Sequence, residues 1–185
     1  KLIFNEGYKP GGEVAGQTST PKFTASFDTS KERARTVSDP QNEVAVTFKP
    51  KYKTLDAQKY MNKVVYPVVG KDAKVVYTLN GSSVKEDIVL NRFQGDTMDF
   101  SYDLSLNDGL EARLEKNGSI GVYGVQSALL GNVATGNDKD ADILKKARKN
   151  GKKDKLIFQI PAPFIYEGKT KQTTAKAWYS LDGSK

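Results

Sequence analysis

Between Val84 and Gly124 apolar and polar residues alternate almost without a break. From Met98 to Leu106 every even position is apolar (Met98, Phe100, Tyr102, Leu104, Leu106) and every odd position between them is Asp or Ser. That is the period-two pattern of a strand with one buried face. Leu110, Ala112, Leu114, Ile120 and Val122 keep the even parity. Residues opposite each other on antiparallel strands point to the same side of the sheet, so even must face even. A two-residue loop at Asn117-Gly118 would set Leu114 beside Gly121, whereas a three-residue loop at Lys116-Asn117-Gly118 sets it beside Ile120. The longer loop is therefore predicted, and the same parity predicts Asn107-Asp108-Gly109 as its counterpart. Both loops end in glycine, so Gly109 and Gly118 are expected at positive φ, in a type I turn with a G1 bulge. The stretch reads as a β-meander.

The same procedure organises the rest of the chain. Leu2, Ile3 and Phe4 precede Pro10-Gly11-Gly12, so residues 1–18 read as a loose N-terminal arm or edge strand. Phe23, Ala25 and Phe27 alternate as a strand, and the charged run from Lys31 to Arg35 reads as an exposed connection. Val44, Val46 and Phe48 form the next strand, and residues 51–61 show no period and read as a loop. The apolar run Val64–Val69 contains Pro67, which predicts a sheet edge or a bulge. Ala73–Leu79 and Val84–Leu90 predict a hairpin that pairs Leu79 with Val84 and Val75 with Ile88. A change of pattern at 126–154 predicts a helical insertion. Its helix covers about 138–150, with Asp138, Asp140 and Asp142 at the start, Ile143, Leu144 and Ala147 as an apolar stripe, and Gly151 as the stop. Leu156, Phe158 and Ile160 return to strand parity, Pro161-Ala162-Pro163 stiffens an extended edge, and Thr173–Leu181 reads as the last strand. The fold expected is mainly β: an antiparallel β-sandwich or meander-rich sheets with one short inserted helix, in a single domain over 19–185.

Three of these segments carry a resemblance. VKEDIVLN at 84–91, GLEARLEKNGSIGVYG at 109–124 and LIFQIPAPFIYE at 156–167 together resemble a segment of very large secreted or surface-attached bacterial proteins. Some of those are Rhs-type or wall-associated, and the closer relatives occur among Patescibacteria such as Saccharibacteria. The three motifs keep their order over Asn62 to Tyr179, and the lysine-rich helical insertion is a departure shared with the closer relatives alone. The resemblance implies a non-catalytic β-rich module, an extracellular or cell-surface location, and neighbouring domains of the same long chain as partners. It carries over no catalytic residue and no cofactor.

Composition narrows the chemistry. The chain has 185 residues, 37% of them hydrophobic, with no His and no Cys. Those absences remove His-based triads, Cys nucleophiles and the usual zinc sites. Carboxylate chemistry of the glycoside hydrolase kind is left as a weak alternative, although Asp99, Asp103, Glu111 and Glu115 fall on the solvent parity of their strands. Asp138-x-Asp140-x-Asp142 has calcium-loop spacing, but Ile143 stands where the loop needs Gly and Lys149 where it needs an acid. A chain without an initiating Met that ends in a polar run reads as a piece of something longer, with no signal peptide and no apolar run long enough for membrane insertion.

Charge adds one further candidate. Of a net charge of +7, the stretch KKARKNGKKDK at 145–155 supplies six, from seven basic residues and one acid. Lys145, Lys146, Arg148, Lys149, Lys152, Lys153 and Lys155 are thus a candidate patch for a polyanion such as an anionic cell-wall polymer, with no specific nucleic-acid recognition expected. Cations at a helix C-terminus also have a purely structural use, since they favour the helix dipole. Tyr166 and Trp178 are candidate glycan-stacking residues, against ordinary core or edge packing. The expected function is a non-catalytic structural or adhesive module, with glycan or polyanion binding as the alternative.

Overall fold

A computed structural model describes residues 24–27, 34–39, 44–80, 83–92, 95, 97–125, 138–168 and 175–183. The arm expected at 1–18, Phe23, the charged run at 28–33 and the first part of the insertion at 126–137 lie outside the described residues. The described chain is mainly β, with three antiparallel sheets and a single short helix. The chain divides into two compact units, with the boundary between Ser105 and Leu106.

The first unit holds two four-stranded sheets. One has the order β1-β2-β3-β8, from β1 (Thr24–Phe27), β2 (Arg35–Asp39), β3 (Val44–Pro50) and β8 (Tyr102–Leu106). The other has the order β4-β5-β6-β7, from β4 (Gln58–Tyr60), β5 (Lys63–Pro67), β6 (Ala73–Asn80) and β7 (Ser83–Leu90). Alternation decides which residues meet. Ala25 and Phe27 of β1 share one core with Val64 and Tyr66 of β5, Val68, and Ala73, Val75 and Tyr77 of β6, with Phe100 and Tyr52 packed against it. The β6–β7 hairpin pairs Leu79 with Val84 and Val75 with Ile88, the expected register. Tyr102 and Leu104 of β8 are half-buried while Asp103 and Ser105 are exposed, as the even parity requires.

The second unit is a sheet of order β11-β10-β9, from β9 (Leu110–Leu114), β10 (Ile120–Gly124) and β11 (Lys155–Ile160), together with helix α1 (Asp138–Asn150). Leu114 pairs with Ile120, the register of the three-residue loop. Gly118 takes φ of +82° and donates its amide to the Glu115 carbonyl at 2.9 Å. Asn117 Oδ1 finishes the turn by accepting from the Ser119 amide at 3.0 Å and the Ser119 hydroxyl at 2.7 Å.

Several expectations are corrected. Gly109 has φ of +88° and a turn forms there, but β8 and β9 belong to different sheets, so the meander is cut at Asn107–Gly109. Parity fixes which face a strand buries and leaves open which strand lies beside it. Residues 35–39 are a strand, and Arg35 is buried, not exposed. Within 51–61, Gln58–Tyr60 pairs with β5, and Thr54 bridges Val68. The run holding Pro67 is an inner strand: β5 lies between β4 and β6, and Pro67 stands at its end, where it pairs with Lys74 and its carbonyl accepts from the Leu55 amide. Helix α1 buries none of its residues, and Ile143 of the expected stripe is 63% exposed. Leu114 is 46% exposed despite its parity, and residues 175–183 contain no strand.

Candidate functional site

Polar groups converge where the two sheets of the first unit face each other. Glu86 lies opposite Tyr77 in the β6–β7 ladder, so both side chains are on the same face as Val84, Val75 and Ile88. The Tyr77 hydroxyl donates to Glu86 Oε2. From the other sheet, the Tyr102 hydroxyl donates to Glu86 Oε1 at 3.1 Å. Tyr52 and Tyr102 hydroxyls are 2.6 Å apart, and since Tyr102 spends its proton on Glu86, Tyr52 donates to Tyr102. Three phenols therefore feed one carboxylate, two of them directly and one through a relay.

Arg35 completes the group from β2. The ladder sets it beside Phe27 on β1 and Phe48 on β3, on the inward face of its sheet. Its guanidinium carbon stands 4.3 Å from the centre of the Tyr66 ring and 5.3 Å from that of Tyr77. Those rings meet edge to face at 6.1 Å, and Phe27 packs on Tyr77 at 5.2 Å. Cation–π attraction between desolvated groups is worth about 2 kcal/mol.

Burial sets the protonation states. It raises the Tyr52 phenol to about 12 and pushes Tyr77 and Tyr102 well above the usual phenol range, with the nearby Glu86 charge acting the same way. All three stay protonated and remain donors. Glu86 is raised too, chiefly by burial, against which the two hydroxyl bonds and Arg35 act. The residue as a whole is open to solvent while its carboxylate is crowded by tyrosines. The crowding of the carboxylate by tyrosines sets the upward direction. Chemically, the arrangement holds a carboxylate in place and binds two sheets together.

In the second unit the seven basic candidates divide. Lys153 Nζ donates to the Lys149 carbonyl at 2.8 Å and the Gly151 carbonyl at 3.3 Å, capping the end of α1. Lys152 lies 3.7 Å from Asp154, and Arg148 is half-buried. Lys145, Lys146, Lys149 and Lys155 are exposed, and their ammonium groups form no ion pair among the described residues. Asp138 and Asp140 lie in the first turn of α1, where they favour its dipole, and no group of three acids able to hold a metal occurs among the described residues.

Tyr166 is 64% exposed and Trp178 69% exposed, both in the second unit. The ring beside Tyr166 is Phe164, also exposed, at 4.9 Å and 86°, a perpendicular contact that makes no flat platform for a sugar. Of the acids placed on solvent parity, Asp99 and Asp103 are exposed, while Glu111 and Glu115 are half-buried. Glu115 accepts from the Tyr123 hydroxyl at 2.7 Å and Glu111 from Arg113 at 2.8 Å.

Sequence reasoning missed Arg35, Tyr52, Tyr77, Glu86 and Tyr102 as a group. The signal was present in part: Glu86 stands on the parity of Val84, Ile88 and Leu90, and Arg35 on that of Val37. A charge on an apolar face asks for a partner. No protein-family model, curated protein or solved structure matches the chain. No helix among the described residues is long and apolar enough to cross a membrane.

Proposed function

We propose that the chain is a non-catalytic structural or adhesive module of a large bacterial surface or secreted protein. The observation that carries this reading is the bonding of Glu86, whose carboxylate receives one hydroxyl from each of the two sheets it joins. A second carboxylate is used across strands in the second unit, where Glu115 holds Tyr123 of β10. Carboxylates spent on cross-strand bonding stiffen a domain. A glycosidase needs instead two acids facing a sugar-sized gap. The resemblance of the 84–91, 109–124 and 156–167 segments to modules of long surface proteins points the same way. Incubation with glycan and peptide libraries should give no turnover. Turnover abolished by Glu86→Gln would overturn the reading.

A second reading, binding of an anionic cell-wall polymer, is favoured by Lys145, Lys146, Lys149 and Lys155, which are exposed and free of ion pairs among the described residues. Four such cations along α1 and the following strand offer a salt-sensitive surface to a polyanion. Retention on heparin and teichoic acid, measured at low and at physiological salt, tests it. Elution unchanged after reversing Lys145, Lys146 and Lys149 to Glu would reduce the patch to a solvated face.

A further inference from the structure

The Arg35 guanidinium presents an unusual balance. The residue is 2% exposed, and none of Nε, Nη1 and Nη2 has a hydrogen-bond acceptor among the described residues. Arginine stays protonated under all ordinary conditions and carries five N–H donors. A buried donor left unmet is costly, and a buried charge left unmet costs more. The faces of the guanidinium are answered by the Tyr66 and Tyr77 rings, but ring faces do not satisfy in-plane N–H groups. Glu86 lowers the potential nearby, yet its two oxygens already take the Tyr77 and Tyr102 hydroxyl protons and neither bonds Arg35. A further buried polar atom, Thr54 Oγ1, also lacks a partner among the described residues. Thr54 bridges Val68, which lines the same core as Tyr66.

We infer that Arg35 is the centre of a buried binding site for a small monovalent anion of halide or carboxylate size, held by the in-plane N–H groups of the guanidinium edge, which the Tyr66 and Tyr77 rings on its faces leave unmet. Such an anion supplies both missing elements, an acceptor for the N–H donors and a negative charge that Glu86 delivers only from a distance. Size and charge follow from the surroundings. The core packs Phe27, Tyr66 and Tyr77 around the cation, which leaves a polyanion no approach, and a single positive charge balances a single negative one.

The test is thermal melting of the 185-residue chain as chloride replaces gluconate at constant ionic strength, with the chlorine-35 linewidth followed in parallel. Melting of the first unit should rise with chloride as the logarithm of its concentration, and the linewidth should broaden in proportion to protein. Both effects should vanish in Arg35→Met, and Arg35→Lys, which keeps the charge without the fork, should weaken them. The reading rests on chloride dependence and not on absolute stability, so a variant of altered melting point still decides it. Crystals soaked in bromide should show an anomalous peak at the Arg35 nitrogens. Melting and linewidth that ignore chloride in the wild type, or respond equally in Arg35→Met, would overturn the site.

Discussion

Gly109 and Gly118 both stand at positive φ in turns of the second unit, yet replacing each with alanine should cost different amounts. Both have φ in the left-handed region, at +88° and +82°, where a Cβ crowds the following carbonyl at about 1–2 kcal/mol. At Gly118 that is the whole cost, because an added Cβ would meet Ala162 Cβ at an ordinary 3.5 Å. At Gly109 the Cβ would stand 2.9 Å from the Arg148 carbonyl oxygen and 3.1 Å from Arg148 Cβ. The obstacle is largely helix backbone, so α1 must shift, and forcing atoms into packed space adds about 1–3 kcal/mol. Gly118→Ala should therefore lose about 1 kcal/mol and Gly109→Ala about 2–4 kcal/mol. Urea unfolding with a probe in the second unit compares them directly, since both residues belong to the same compact unit. Equal losses would refute the seating of α1 against the Asn107–Gly109 turn, and a neutral Gly118→Ala would refute the left-handed turn itself.

Other outcomes can be stated more briefly. Because burial raises the Glu86 pKa, the folded state holds that proton more tightly than the unfolded chain. Its contribution is thus most favourable below the ordinary carboxylate range and declines as pH rises through that range towards the raised value. Melting points taken from about pH 4 to pH 7 should fall more steeply in the wild type than in Glu86→Gln, and parallel curves would contradict the shift. Tyr77→Phe, which removes one donor to Glu86, should cost about 1–2 kcal/mol in urea melts of the first unit. Lys153→Ala should fray the end of α1, seen as faster amide exchange at residues 147–151, while Lys145→Ala should leave exchange unchanged.

How far the fold could be read from the sequence depended on which physical rule governed each element. Where one face is buried, alternation is enough: the Leu114–Ile120 and Leu79–Val84 registers follow from parity alone. Neighbour choice follows a different rule. Tyr102–Leu106 alternates well enough for a meander, but it pairs in the sheet of β1, β2 and β3, a long-range arrangement that local pattern does not encode. Arg35 was misplaced because a charge in a charged run reads as solvent-facing. Only the ladder, which sets it between Phe27 and Phe48, turns it inward. The apolar stripe of α1 misled in the opposite sense, since Ile143 has helical spacing and still faces water. Of the basic patch, the charges were evident from the sequence. Their division into the cap at Lys153, the pair at Lys152 and the four lysines Lys145, Lys146, Lys149 and Lys155 that form no ion pair among the described residues is seen only in the fold.

The bond from Tyr102 to Glu86 crosses between the two sheets of the first unit, and a double-mutant cycle tests it most directly. Glu86→Ala, Tyr102→Phe and the double variant are unfolded in urea beside the wild type. If the carboxylate clamps the sheets, the two single losses should exceed the double loss by about 0.5–1.5 kcal/mol. Additive losses would mean that Glu86 and Tyr102 are only neighbours, and the structural role given to this carboxylate would be wrong.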